Sequence, residues 1–212
     1  MASITSRIWS ETLTVLALAF LFAFSYPAFV TDISESMNHY LSLIQWVSWF
    51  GFAIDLIYGL YRAESKKTYL KKHPLEIASV LLPFLRPLRL MRVISFGGLA
   101  IQRVAVGRQF AITLKVLLTS IFVAYIAAVQ ITITERTIEG SNIKNFGDGL
   151  WWAITTVTTV GYGDRFPTTS QGKVLAVGLM IMGISLMGVV TATVAAWFVR
   201  MSQDESGPRL KG

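Results

Sequence analysis

The chain has 212 residues, of which 53% are hydrophobic and only 15% are charged, and its mean hydropathy is +0.56. This composition is too apolar for an ordinary soluble domain and indicates a polytopic membrane protein. The formal charge of +7 does not indicate a nucleic-acid partner, because the cations cluster beside apolar runs, as membrane topology requires.

Four uncharged windows are long enough to cross about 30 Å of hydrocarbon. They cover residues 12–31, 36–54, 116–134 and 174–199. The first window is longer than the apolar core of a signal peptide, about 7 to 15 residues, so we interpret it as a span rather than a signal peptide. The segment 73–96 is apolar but interrupted by prolines and charges, and we interpret it as two further helices joined by a tight turn. The sequence thus predicts six spans.

The placement of Lys and Arg predicts the orientation, because short cytoplasmic loops retain positive charge. Five cations lie in RAESKKTYLKKH after the second window, whereas DISESMNH after the first window contains none. We therefore expect both termini on the cytoplasmic side of the plasma membrane, with residues 201–212 as a polar cytoplasmic tail.

A stripe of arginines follows in the fourth predicted helix. Arg86, Arg89 and Arg92 stand at every third position between apolar residues, which is costly in lipid and rarely accidental. Moving one charge through 100 mV is worth ~2.3 kcal/mol, so three per subunit in a tetramer supply up to roughly 28 kcal/mol. Such a stripe needs anionic partners within the protein, and the chain offers Asp55 and Glu76.

Residues 11–108 resemble the voltage-sensor domain of six-span potassium channels. The resemblance implies that Phe52 is the aromatic plug, that Asp55 accepts the gating charges, and that Glu76 is the acid of the third helix. Gly59 departs from the family, in which many members have a basic residue there. Because the turn between the third and fourth helices is short, a static helical collar with fixed ion pairs stays an alternative to a moving sensor.

The segment WWAITTVTTVGYGDRFPTT, residues 151–169, has to enter the membrane and return. Between residues 146 and 170 there is room for one short helix and an extended return, not for two spans. Non-helical backbone at this depth is tolerated only where it is buried in protein or lines a water or ion path. Gly161 and Gly163 allow left-handed conformations, and alternating these with ordinary ones lets successive carbonyls face one ion. A simple β-strand and turn of a soluble protein is the alternative, and the flanking apolar spans disfavour it.

The string TTVGYGD, residues 158–164, resembles the selectivity-filter signature of potassium channels, and residues 146–198 resemble the bacterial channel pore. The resemblance implies that the permeant K⁺ is bound by the backbone carbonyls of Thr159, Val160, Gly161 and Tyr162. It also implies that Gly163 and Asp164 complete the outer mouth, and that Trp151 and Trp152, together with Tyr162 and Asp164, form a polar and aromatic cuff that holds the filter at its diameter.

Three further positions are notable against this family. Thr155 stands where some relatives have a carboxylate behind the filter. Arg165 follows the filter and opposes any cation that the Phe166 rings attract at the outer mouth. Gly183 matches the glycine at which the family's inner helix bends, although small residues also permit close helix packing in lipid.

These features together predict an all-α membrane protein. We expect a voltage-sensor-like domain at residues 1–96, a connector helix at 97–113, and a pore domain at 114–200 with its re-entrant loop at 146–170. One filter strand per chain requires a homotetramer surrounded by membrane lipids.

The predicted function is K⁺-selective conduction gated by membrane voltage, without a cofactor. A channel of the same architecture controlled by lipid, pH or tension is the alternative. A secondary transporter is disfavoured, because the chain lacks internal repeats with paired broken helices. We expect no enzyme, because His39 and His73 are isolated and no catalytic or metal-binding motif occurs.

Overall fold

The computed structural model describes residues 4–63, 65–72, 77 and 108–205, and within these ranges the chain forms helices and no strand. The helices are α1 (Ile4–Phe29), α2 (Glu35–Arg62), α3 (Lys66–Lys72), α4 (Arg108–Glu135), α5 (Phe146–Val157) and α6 (Ser170–Glu205). The chain divides into two compact units, Met1–Gly97 and Gly98–Gly212. The predicted all-α class is confirmed.

Four of these helices are long and apolar enough to cross a membrane. Their spans are Glu11–Phe29, Glu35–Arg62, Thr113–Glu135 and Ser170–Val199. They coincide with the four uncharged windows, so the chain is a multi-pass membrane protein. The two spans predicted within residues 73–96, with Glu76, Arg86, Arg89 and Arg92, and most of the connector 97–113 lie outside the described residues.

In the first unit, α1 and α2 form an antiparallel pair. Three side-chain hydrogen bonds join them in reverse order along the two helices: Trp9 Nε1 to Asp55 Oδ1 at 2.7 Å, Ser48 Oγ to the Leu16 carbonyl at 3.2 Å, and Gln45 Nε2 to the Ala23 carbonyl at 3.2 Å. Ser48 is completely buried, so its hydroxyl requires such a partner. The pair is therefore joined by polar contacts as well as by apolar packing.

In the second unit, α4, α5 and α6 pack around one hydrophobic core. The core consists of Ala124, Ala127, Ala128, Ile131, Ile143, Trp152, Ala153, Val157, Ala176 and Leu179. Its alanines allow the helices to approach closely, as is common in membrane proteins. At the crossing of α4 and α5, a Cβ on Gly149 would lie only 2.7 Å from the Ala128 carbonyl oxygen, so a larger residue there would separate the helices.

The end of α4 is tied to the start of α6 by the carboxylate of Glu135, which is completely buried. It accepts the backbone N–H groups of Thr168 at 3.1 Å and Thr169 at 2.9 Å, and both threonine hydroxyls also donate to it. Thr169 Oγ1 in turn accepts the Gly172 N–H at 3.0 Å, as an N-cap hydroxyl does. This network closes the segment that contains α5 and the irregular chain after it.

Candidate ion-conduction site

The short helix α5 leads into the site, and its beginning is fixed by a capping box. Asn145 Oδ1 accepts the Asp148 N–H at 3.0 Å, and Asp148 Oδ2 accepts the N–H groups of Asn145 and Lys144. Such reciprocal bonds satisfy the backbone donors at a helix start. The direction of α5, and with it the position where the irregular segment begins, is set by these residues.

The segment after α5 alternates in backbone handedness. Thr159, Gly161 and Gly163 have positive φ angles of 62°, 56° and 78°. No positive φ occurs at the residues between them, so left-handed conformations recur at every second position. This alternation lets successive carbonyls face the same side, which an ordinary strand does not allow. The geometry is the one that a row of ion-binding carbonyls needs.

Thr159 is the unexpected member of this row, because a β-branched residue strongly disfavours positive φ. Its N–H donates to the Thr156 carbonyl, and the Gly161 N–H donates to the Thr155 carbonyl, both at 3.0 Å. The last turn of α5 therefore holds the start of the segment in its strained conformation.

Aromatic and acidic side chains support the other end of the segment. Trp151 Nε1 donates to Asp164 Oδ2 at 2.9 Å, and the Trp151 ring stacks on Tyr162 with 5.5 Å between centroids and 3° between planes. Three of the predicted support residues thus meet. Trp152, predicted beside them, lies instead in the core of the second unit and is nearly completely buried within the chain.

Arg165 forms an ion pair with an acidic residue that the sequence did not predict as part of the site. Its Nε donates to Asp148 Oδ1 at 3.0 Å, so the helix-capping carboxylate also forms an ion pair with the chain that follows Gly163. Phe166 beside it is exposed. Asn142, also not singled out, bonds to the backbone on both sides of Arg165. Neither residue could be found from local spacing, because each partner lies 17 to 24 positions away.

Thr155 lies in the last turn of α5, and its backbone carbonyl accepts the Gly161 N–H. Thr155 is buried, and its Oγ1 donates to the Trp152 carbonyl at 3.1 Å. Within the described ranges, no group of three or more His, Cys, Asp or Glu side chains is placed to hold a metal ion.

Gly183 lies close against the end of α5. A Cβ there would lie 2.5 Å from the Val157 carbonyl oxygen and 3.1 Å from its carbonyl carbon. By contrast, a Cβ on Gly178 or Gly188 would meet nothing within 4 Å. Gly183 is thus a packing glycine in this conformation, and the predicted hinge at this position stays a prediction.

Of the predicted sensor residues, Phe52 and Asp55 are described. Phe52 is buried, with 6% of its surface exposed, and Asp55 accepts the indole N–H of Trp9. The remaining predicted members, Glu76, Arg86, Arg89 and Arg92, lie outside the described residues.

Residues 116–200 match the sequence profile of a family described as ion channel. The chain is 38% identical over 112 residues to the calcium-gated potassium channel TvoK of Thermoplasma volcanium, covering 47% of this chain and 32% of that protein. It is 40% identical over 93 residues to a voltage-gated potassium channel of Aeropyrum pernix, covering 44% and 30%.

A human relative extends the similarity beyond archaea. Potassium voltage-gated channel subfamily KQT member 4 is 30% identical over 95 residues, covering 43% of this chain and 14% of that protein. The predicted resemblance to potassium channels is confirmed, and the family is one of channels rather than enzymes. The chain spans about a third of the length of the archaeal relatives that it matches.

We expect Gly183→Ala to change the open probability several-fold, because the added methyl group cannot fit against Val157 without moving α6 away from α5. Overpacking of this kind costs about 1 to 3 kcal/mol. Single-channel recording measures the change, with Gly188→Ala as the matched control, since a Cβ fits there without a close contact. The hinge prediction requires unchanged ion selectivity, and an unchanged open probability would contradict both the hinge and the packing contact.

We expect Arg165→Ala to strengthen external tetraethylammonium block about three- to tenfold, because it removes a cation beside Phe166 and leaves the Asp148 carboxylate unneutralised. Dose–response curves of K⁺ current measure the change. Arg165→Lys keeps the charge and should leave the block close to that of the unmodified protein. Equal or weaker block in Arg165→Ala would show that the charge does not act at the mouth.

Proposed function

We propose that the chain forms a K⁺-selective channel in which residues 159–163 are the selectivity filter. The observation that carries the proposal is the alternating backbone of this segment, with left-handed conformations at Thr159, Gly161 and Gly163. The potassium channels among the relatives support K⁺ as the permeant ion.

Conduction follows from the chemistry of backbone carbonyls. A dehydrated K⁺ loses the oxygen ligands of its water shell, and a ring of carbonyl oxygens replaces them. The proposed ligands are the carbonyls of Thr159, Val160, Gly161 and Tyr162, with the Thr159 hydroxyl closing the inner site. Gly163 and Asp164 complete the outer mouth, and Trp151 holds the filter at its diameter. No cofactor takes part.

Four chains are required in this proposal, because each contributes one strand of oxygens to the ring. In the single chain, Val160 and Tyr162 are 56% and 67% exposed, although they lie in a membrane protein's loop between two spans. Large apolar residues along α6, such as Ile181 and Ile184, are also exposed. A homotetramer around the filter axis would cover such surfaces, and lipid would cover the outside.

We further propose that voltage controls the pore through residues 1–96, linked to the pore domain 114–200 by the connector 97–113. In this scheme Arg86, Arg89 and Arg92 carry the charge, while Phe52, Asp55 and Glu76 line its path. The protein would lie in the plasma membrane with both termini cytoplasmic. The Aeropyrum relative, named as voltage-gated, supports this scheme.

A second candidate function is a potassium channel with the same pore whose opening is not controlled by voltage. The Thermoplasma relative is named as calcium-gated, so related pores are controlled in more than one way. In this candidate the arginines are fixed members of ion pairs, and opening depends on lipid, pH or tension.

Planar-bilayer recording with K⁺ on one side and Na⁺ on the other tests the filter. We expect a reversal potential close to the K⁺ equilibrium value and loss of the current in Gly161→Ala, because alanine resists the φ of 56°. Gly178→Ala is the matched control, since its added Cβ meets nothing within 4 Å. A reversal potential near zero would exclude K⁺ selectivity.

Current families across voltage steps test the sensor. Neutralising Arg89 and Arg92 together should remove about two-thirds of the slope of the conductance–voltage curve, because each charge crossing 100 mV contributes ~2.3 kcal/mol. Lys71→Gln, which changes an exposed cation outside the arginine stripe, should leave the slope unchanged. A flat curve in the unmodified protein, or one that the arginine changes do not alter, favours the second candidate.

A further inference from the structure

The side chain of Asn142, in the loop between α4 and α5, reaches the chain that follows Gly163. Its Nδ2 donates to the Asp164 carbonyl at 2.9 Å, and its Oδ1 accepts the Phe166 N–H at 3.1 Å. Both groups of the amide are therefore used on the backbone that directly follows Gly163. We call the segment Asp164–Phe166 the exit limb.

The two bonds hold a bend in the chain, which covers residues 163–165. The Asp164 carbonyl and the Phe166 N–H, two residues apart, both point to the Asn142 side chain. The amide of Asn142 suits both groups, because it has a donor and an acceptor on one carbon. It supplies both hydrogen bonds to a limb that has no strand beside it in the described part of the chain.

Only an amide of this length fits both partners. A carboxylate of the same size accepts hydrogen bonds but donates none, so it would place one oxygen against the Asp164 carbonyl oxygen. A leucine has nearly the same shape and forms neither bond. The side chains of the exit limb are held separately by α5, since Asp164 bonds to Trp151 and Arg165 to Asp148. Asn142 adds a support for the backbone itself.

We propose that Asn142 is a positioning residue that fixes the outer end of the filter, and this inference rests on the proposed K⁺ conduction. Filter carbonyls directed at one axis repel one another, and bound K⁺ offsets that repulsion. When external K⁺ is scarce, the outer carbonyls depend more strongly on protein contacts. Asn142 therefore determines how well the filter keeps its conducting geometry as its outer ion leaves.

The experiment compares K⁺ currents of the reconstituted full chain at high and at low external K⁺, recording the rate at which the current declines after opening. Asn142→Asp and Asn142→Leu are the test variants. Lys144→Met is the matched control, because Lys144 lies in the same loop and its Nζ bonds to the carbonyls of Arg136 and Ile138 rather than to the exit limb.

In low external K⁺ we expect both Asn142 variants to decline roughly five- to twentyfold faster than the unmodified protein, which corresponds to the loss of one or two net hydrogen bonds. High external K⁺ should restore a slow decline, and Lys144→Met should behave as the unmodified protein does. A purely structural role would lower the amount of assembled channel without making the decline depend on K⁺.

Three results would overturn the inference while leaving K⁺ conduction intact: an unchanged decline in both Asn142 variants, an equal acceleration in Lys144→Met, or failure of both variants to assemble. The last result would assign Asn142 to folding rather than to the filter. An unmodified protein that conducts no K⁺ would instead remove the proposed function and this inference together.

Discussion

The geometry of the second unit depends on the hydrogen bonds that the carboxylate of Glu135 accepts. It lies at the end of one membrane-spanning helix and accepts hydrogen bonds from the residues that begin the next, Thr168 and Thr169. Desolvating such a charge is costly unless its oxygens are satisfied, and here two N–H groups and two hydroxyls satisfy them. The neighbouring Gly172 has to lack a side chain, because a Cβ would lie 2.6 Å from Glu135 Oε1.

This contact makes the chain between α4 and α6 a closed loop with fixed ends. Within the loop, each irregular stretch receives its support from a regular one. The last turn of α5 holds Thr159 in its left-handed conformation, the beginning of α5 provides the carboxylate for Arg165, and Trp151 in its middle holds Asp164. A short helix of 12 residues thereby braces a backbone that could not keep its conformation alone.

The sequence allowed prediction of the features that depend on local composition. The four apolar windows correspond to the four spanning helices, and the short helix and irregular return fall within residues 146–170, where length left room for nothing else. The two glycines predicted left-handed backbone at Gly161 and Gly163. The left-handed conformation of Thr159 was not predicted, because its residue type disfavours it. At Thr159 the hydrogen bonds to the last turn of α5 override the backbone preference of threonine.

The contacts that position the site were harder to predict. Glu135, Asp148 and Asn142 are single polar residues whose partners lie 17 to 34 positions away, and no periodic pattern marks such pairs. Trp151 and Trp152 could not be separated by sequence either. As neighbours on α5 they point in different directions, one toward Tyr162 and the other into the core.

The hydrogen bonds between α1 and α2 also constrain how the first unit can move. On α1 they involve Trp9, Leu16 and Ala23, each seven residues after the last, so that all three share one helix face. A seven-residue repeat is the period of a left-handed helix pair, in which the same faces stay in contact along the whole length. Rotating or sliding one helix would break all three bonds together. The two helices of this hairpin can therefore move only together, as one rigid body.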